Sequence, residues 1–141
     1  MKAQTIRVSA PIDPCDLRIN AARRACIRAG KPGTYPTPKA KRAAAALKLC
    51  IAAAAQGRSI ASGPVSVIIS TSTPRQHRTG PAAGRPMLDC DAPIKAILDA
   101  CTRAEVWTDD AQVAELVVRG HVGPPSITIT IIQLAPRTAM V

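Results

Sequence analysis

Two short segments hold the residues that could do chemistry. Leu88-Asp89-Cys90-Asp91-Ala92-Pro93-Ile94-Lys95 is followed, after a short interval, by Trp107-Thr108-Asp109-Asp110-Ala111-Gln112-Val113. Together they supply up to four carboxylates and one lysine, the residue types that hold a hard divalent cation against a phosphate. Mg2+ keeps several waters and is usually bound through one or two carboxylates plus substrate oxygens, so three or four acids suffice for one or two ions. The expected chemistry is metal-assisted phosphodiester hydrolysis, with Lys95 adding positive charge at the reacting phosphorus or orienting the attacking water. Asp89 and Asp91 are two residues apart and project to one side of an extended segment. Asp91 is placed to cap a helix on which Lys95, one turn later, shares its face. Asp109 and Asp110 follow that helix, and the short connection is expected to return them within reach.

Asp-x-Asp alone is a weak signal, because an N-cap beside a solvated acid gives the same pattern. Asp109 is read as a cap or orienting group, Asp99 as an ion-pair partner for Lys95, and Trp107 as a packing anchor beneath the acidic turn. Cys90 is expected to point away from the metal and to be buried.

The charge is segregated along the chain. Residues 1–58 hold twelve of the nineteen Lys and Arg and only two acids, a net +10 that equals the formal charge of the whole protein. All seven remaining acids fall between Asp89 and Glu115. A polyanionic partner accounts for the first segment, since Lys and Arg that neutralise phosphates release counterions. Acids inside a polyanion-binding protein oppose that binding unless a metal screens them. The basic stretch Arg18, Arg23, Arg24, Lys39, Lys41 and Arg42, with the loop Arg75, Arg78 and Arg85, is the candidate DNA-facing surface.

A chain of 141 residues is read as one domain spanning 1–141. Phe is absent and Tyr35 and Trp107 are the only aromatic residues. The core must therefore be built from Ala, Val, Ile and Leu, and recognition by stacking bases on aromatic platforms is disfavoured. Backbone and shape recognition of duplex or branched DNA fits better. Five cysteines without a Cys-x-x-Cys pair give neither a disulfide framework nor a zinc site, which points to a reducing, cytoplasmic compartment. No run is expected to span a membrane, and no small-molecule substrate is implied.

Alternation over Gln4 to Ser9 predicts a strand. Residues 10–38 read as a proline-rich loop with a short helix near Ile19 to Ala29. Thr37-Pro38 opens an alanine-rich helix to about Gln56, stopped at Gly57. Pro64 to Thr71 reads as a strand and Pro74 to Pro86 as a mobile basic loop. A helix follows Asp91, with Ile94, Ile97, Leu98 and Cys101 on one face. Val113 to Arg119 and Ser126 to Gln133 complete the chain as two strands joined in a hairpin through Gly120 to Pro125. The order β-α-β-α-β-β predicts a small α+β domain with a mixed sheet.

With these segments in place, the sequence resembles the RusA family of Holliday-junction resolvases. In that family an Asp-x-Asp-Asn-x-x-Lys segment opens a helix and an Asp-Asp-x-Gln-[Val/Ile] segment follows it. The matching residues are Asp89, Asp91 and Lys95, then Asp109, Asp110, Gln112 and Val113. The resemblance rests on these motifs over residues 88–134, and on element order and basic character over residues 1–70. It implies Asp89, Asp91 and Asp110 as ligands of Mg2+, with Mn2+ as an alternative ion, and Lys95 as a further catalytic residue. It also implies a homodimer that nicks opposite strands of a four-way DNA junction symmetrically, in recombination and repair. Ala92 stands where the family usually has Asn, and the early asparagine-rich motif is reduced to Arg18-Ile19-Asn20. The competing expectation is a non-catalytic branched-DNA-binding protein whose metal site has decayed.

Overall fold

The computed structural model describes residues 3–18, 23–28 and 31–136, with backbone alone over 23–28 and 31–35. Its centre is a mixed sheet of β1 (Thr5–Ala10), β4 (Val65–Thr73), β5 (Val113–Val122) and β6 (Ser126–Gln133), in the order β1-β6-β4-β5. Period-two alternation aims Ile6 and Val8, Val65, Val67 and Ile69, and Ile127, Ile129 and Ile131 at one face, where all are buried. The register stacks them in rows, with Ile131 between Ile6 and Val67 and Ile129 between Val8 and Ile69. On the opposite face Arg7, Ser9 and Thr128 are exposed, so the sheet is covered on one side only.

Two helices form the second layer. In α1 (Pro38–Ala55) the Thr37 hydroxyl accepts the Ala40 N–H at 3.2 Å, and Pro38 takes the first-turn position where its missing N–H is harmless. Gln56 closes the helix in the left-handed region and Gly57 continues it at φ 77°, so the expected stop is where the helix ends. Ala43, Leu47, Ile51 and Ala55 make its buried stripe. In α2 (Ile94–Arg103), Ile94, Ile97, Ala100 and Cys101 face inward. The Cys101 thiol is pushed up to about 12 by burial, which keeps it neutral and inert in the folded protein. The core is aliphatic, as the composition requires, apart from Trp107, which is 1% exposed.

The α+β class and mixed sheet agree with the sequence reading, but three local expectations do not hold. Residues 23–28 and 31–36 form an antiparallel hairpin, β2 (Arg23–Arg28) with β3 (Lys31–Pro36), in place of a short helix; residues 19–22 and 29–30 lie outside the description. Secondly, β5 and β6 are not hairpin partners. β5 runs parallel to β4, and β6 pairs antiparallel with the other side of β4. Segment 120–125 crosses the end of β4, where Gly123 N–H donates to the Thr73 carbonyl at 2.9 Å. The predominantly apolar inward faces of β4 and β6 suit central positions, whereas Glu115, Arg119 and His121 suit β5 to the edge. Thirdly, the basic loop is braced: His77 N–H donates to the Arg85 carbonyl, Met87 N–H to that of Arg75, and Gly84 N–H to that of His77. Among the described residues no helix is long and apolar enough to cross a membrane.

Candidate active site

The first carboxylate pair sits on a tight turn ahead of α2. Ala92 N–H donates to the Asp89 carbonyl at 3.1 Å and Ile94 N–H to the Asp91 carbonyl at 3.2 Å. The N-cap of α2 is Pro93, with no side-chain cap, so Asp91 does not cap the helix as expected. Pro93 cannot donate a backbone hydrogen bond, and the preceding residues satisfy their groups within the turn. Both carboxylates are exposed and make no hydrogen bond or ion pair to another described residue. Cys90, expected to be buried, is exposed. The turn rests on β5: Pro86 and Cys90 lie 3.6 and 3.7 Å from where a Cβ on Gly120 would stand. A Cβ there would be in ordinary van der Waals contact with both, so the turn packs directly on this point of β5.

The second pair lies at the other end of α2. Asp109 opens a 3-10 turn (Asp110–Gln112) and accepts the Ala111 N–H at 2.9 Å, the capping role expected of it. The Asp110 side chain is exposed. Sequence reasoning named Gln112 as part of a motif without giving it a task, and the structure supplies one. Its Oε1 accepts from Thr108 N–H at 2.9 Å and Asp109 N–H at 3.1 Å. Its Nε2 donates to the carbonyls of Ile60 at 3.0 Å and Gly63 at 3.1 Å. Only a neutral amide satisfies two donors and two acceptors at once. Gln112→Leu is therefore expected to lower stability by about 2 kcal/mol, more than Asp110→Asn does, as a urea titration of the two variants will read.

Below this turn Trp107 is the packing anchor expected. Its Nε1–H donates to Thr102 Oγ1 at 2.8 Å, and that hydroxyl donates to the Leu98 carbonyl at 3.2 Å. Ile60 N–H donates to the Val106 carbonyl at 2.8 Å, tying the segment before β4 to the chain that leads into the acidic turn.

Within one chain the two carboxylate pairs are not brought together. Among the described residues no three His, Cys, Asp or Glu side chains form a group that could hold a metal ion. Asp89 and Asp91 lie beside Gly120, while Asp110 precedes Val113 at the opposite end of β5. Seven residues of strand separate those ends, about 23 Å at ~3.3 Å per residue. Lys95 leans away from Asp91 along α2, with Nζ 3.3 Å from Asp99 Oδ1, the ion pair expected of Asp99. It borders a groove of about 430 Å3 between α1 and α2, with Lys41, Lys48 and Arg103 on the same rim.

Of the candidate DNA-facing residues, Arg18, Lys39, Lys41, Arg42, Arg75, Arg78 and Arg85 are exposed. Lys39 is 3.4 Å from Asp16, and Arg85 Nη2 donates to the Gly120 carbonyl at 3.0 Å, anchoring the basic loop beside the Asp89–Asp91 turn. The side chains of Arg23 and Arg24 lie outside the described residues.

The sheet is thus covered on one side, with exposed carboxylates on turns and the basic loop bonded to the same strand as the Asp89–Asp91 turn. The chain matches the family model of the RusA endodeoxyribonuclease over residues 16–132, most of its length, and it belongs to that family. Its class is thereby that of the Holliday-junction resolvase nucleases, whose substrate is branched DNA. The matched range contains both carboxylate segments and the basic loop. A search of curated proteins finds no match.

Proposed function

We propose that this protein is a Mg2+-dependent endonuclease that resolves four-way DNA junctions by paired, symmetrical nicks, acting as a homodimer. The observation that carries the reading is the family match across both carboxylate segments, joined to the exposure of Asp89, Asp91 and Asp110. Two carboxylates on one turn suit a hydrated Mg2+, which asks for one or two such ligands and keeps several waters. Asp89 and Asp91 would hold the ion, and Asp110 would complete the set where a second copy of the chain brings it near. When bound, the ion supplies Lewis-acid polarisation of the phosphate and a water of lowered pKa. Arg75, Arg78 and Arg85 would seat the phosphate backbone beside the turn. Lys95, released from Asp99, would neutralise negative charge building on the phosphate.

Divalent-dependent cleavage of a four-way junction, with linear duplex of the same sequence left intact, tests this function. Junction binding adds a measurement of the surface. The double variant Arg75→Ala/Arg78→Ala is expected to weaken binding. If both residues contact phosphate, it should also flatten the log K against log salt slope by about 1.8, at ~0.9 per phosphate contact. An unchanged slope would remove these two residues from the DNA surface.

The second reading, a branched-DNA-binding protein without catalysis, is favoured by Ala92 in place of the usual asparagine. It requires junction binding with no cleavage in either Mg2+ or Mn2+.

A further inference from the structure

Helix α1 carries two stripes. Ala43, Leu47 and Ile51 go to the core, and beside them Lys41, Ala44, Ala45 and Lys48 recur at i, i+3, i+4 and i+7 along one wall of the groove between α1 and α2. The facing wall is the row Lys95, Asp99 and Arg103 of α2, with Ala96 and buried Leu17 beside it. Ala45, Lys48 and Arg103 are exposed, so the groove opens to solvent. Close-packed interiors leave few voids larger than a water molecule, yet here three alanines leave about 430 Å3 between two helices. Leu49, 70% exposed, stands one turn on from Ala45 and extends the apolar strip along α1.

The charged groups on the walls differ in their engagement. Asp99 is taken by Lys95 at 3.3 Å, and Asp16, which also lines the groove, is 3.4 Å from Lys39. Lys41, Lys48 and Arg103 have no ion-pair partner among the described residues. Three uncommitted cations thus frame an apolar floor. A phosphate backbone would meet the cations and leave the alanine floor unused, whereas a wholly apolar segment would cover the floor and strand the cations out of water. An amphipathic helix with carboxylates flanking a small apolar stripe uses both. The walls Lys41–Lys48 and Lys95–Arg103 run about 10–12 Å at ~1.5 Å per residue, the length of about two helical turns. No segment of this sequence offers such a helix. Outside Asp13, Asp16 and the stretch Asp89–Glu115 it contains no Asp or Glu, and that stretch is already folded as the acidic turns, α2 and part of β5.

We propose that the α1–α2 groove is the docking site for an acidic amphipathic helix of a partner protein, its small apolar stripe seated on Ala44, Ala45 and Ala96 and its carboxylates on Lys41, Lys48 and Arg103. Lys95 stands on the same wall, so a seated carboxylate competes with Asp99 for its ammonium group and holds it on the groove side. Docking thereby restrains the lysine assigned to phosphate neutralisation and suppresses cleavage. This consequence rests on the nuclease reading, whereas the docking itself does not.

Docking is read by fluorescence anisotropy of a labelled synthetic peptide of about sixteen residues, long enough to hold a helix on binding. It carries Ala and Leu at i, i+3, i+4 and i+7 with Glu on both flanks, and it is titrated with the full chain in the absence of DNA and divalent metal. Saturable binding is expected, at least about tenfold tighter than that of a peptide of the same composition in scrambled order. Ala45→Phe fills the floor without altering charge, and Lys48→Glu/Arg103→Glu inverts two charges of the rim; each is expected to weaken binding about tenfold or more. A peptide with Lys in place of Glu should prefer the charge-inverted protein. All three positions are exposed, so thermal melting of the variants should match the unsubstituted chain. No binding of the ordered peptide, equal binding of the scrambled one, or indifference to Ala45→Phe would overturn the proposal. Junction DNA that displaces the peptide and is itself weakened by Ala45→Phe would give the groove to DNA, and self-association lost in Ala45→Phe would give it to a second copy; either result overturns it too. Peptide binding by a protein that cleaves no junction would count against the nuclease reading alone.

Discussion

Two inactive proteins, Asp89→Asn and Asp110→Asn, are expected to regain junction nicking when they are co-expressed. The reason lies in the placement of the carboxylates. Asp89 sits at the Gly120 end of β5 and Asp110 before its Val113 end, and the length of α2 separates them within one chain. If each site draws Asp89 and Asp91 from one copy and Asp110 from the other, a mixed dimer contains one site with all three acids and one lacking two. Each homodimer carries the same lesion twice and is expected to lose on the order of 10^3-fold or more in cleavage rate. The mixed dimer should nick one strand and leave its opposite intact, giving singly nicked junctions in place of resolved duplexes. Labelling the strands separately distinguishes the two products. If each site were confined to one chain, every dimer in the mixture would be inactive and no nicked product would form.

Trp107→Ala is the largest stability effect expected, a loss of about 3–5 kcal/mol. In a core otherwise built from aliphatic side chains, this indole is the largest buried group, and its N–H is spent on Thr102. Removing it leaves a cavity between the end of α2 and the segment before β4. It also leaves Thr102 without its donor, although that hydroxyl keeps the Leu98 carbonyl. Since the marginal stability of a domain is about 5–15 kcal/mol, a chemical denaturation midpoint should fall by a large fraction. Trp107→Phe keeps most of the volume and loses only the hydrogen bond, so it should retain most of the stability. Equal losses in the two variants would mean that the hydrogen bond, not the packing, holds this corner.

The elements that bury one face were legible in the sequence because burial writes a period. β1, β4 and β6 alternate, and α1 carries a hydroxyl cap, a first-turn proline and an alanine-rich body. The hairpin β2–β3 wrote no such period. Among the described residues its strands pair only with each other, and the prolines at 32 and 36 resemble loop punctuation. The β5–β6 pairing was misread because neighbours in sequence usually pair, whereas here the charged residues of β5 marked it as an edge strand. For the site, residue types and spacing named the acids, but a separation in sequence does not give a distance in space. A ten-residue helix spans about 15 Å, and it carries Asp109 and Asp110 away from the Asp89–Asp91 turn. Gln112 was visible only as a motif letter, because its four partners come from two segments some fifty residues apart.

The most direct measurement of the central claim is cleavage of an end-labelled synthetic four-way DNA junction with Mg2+, run beside a linear duplex and the Asp110→Asn protein. The account predicts paired, symmetrical nicks on the junction alone, absent in the variant while junction binding survives. Binding of the junction by the unsubstituted protein without cleavage, in Mg2+ and in Mn2+ alike, would contradict it.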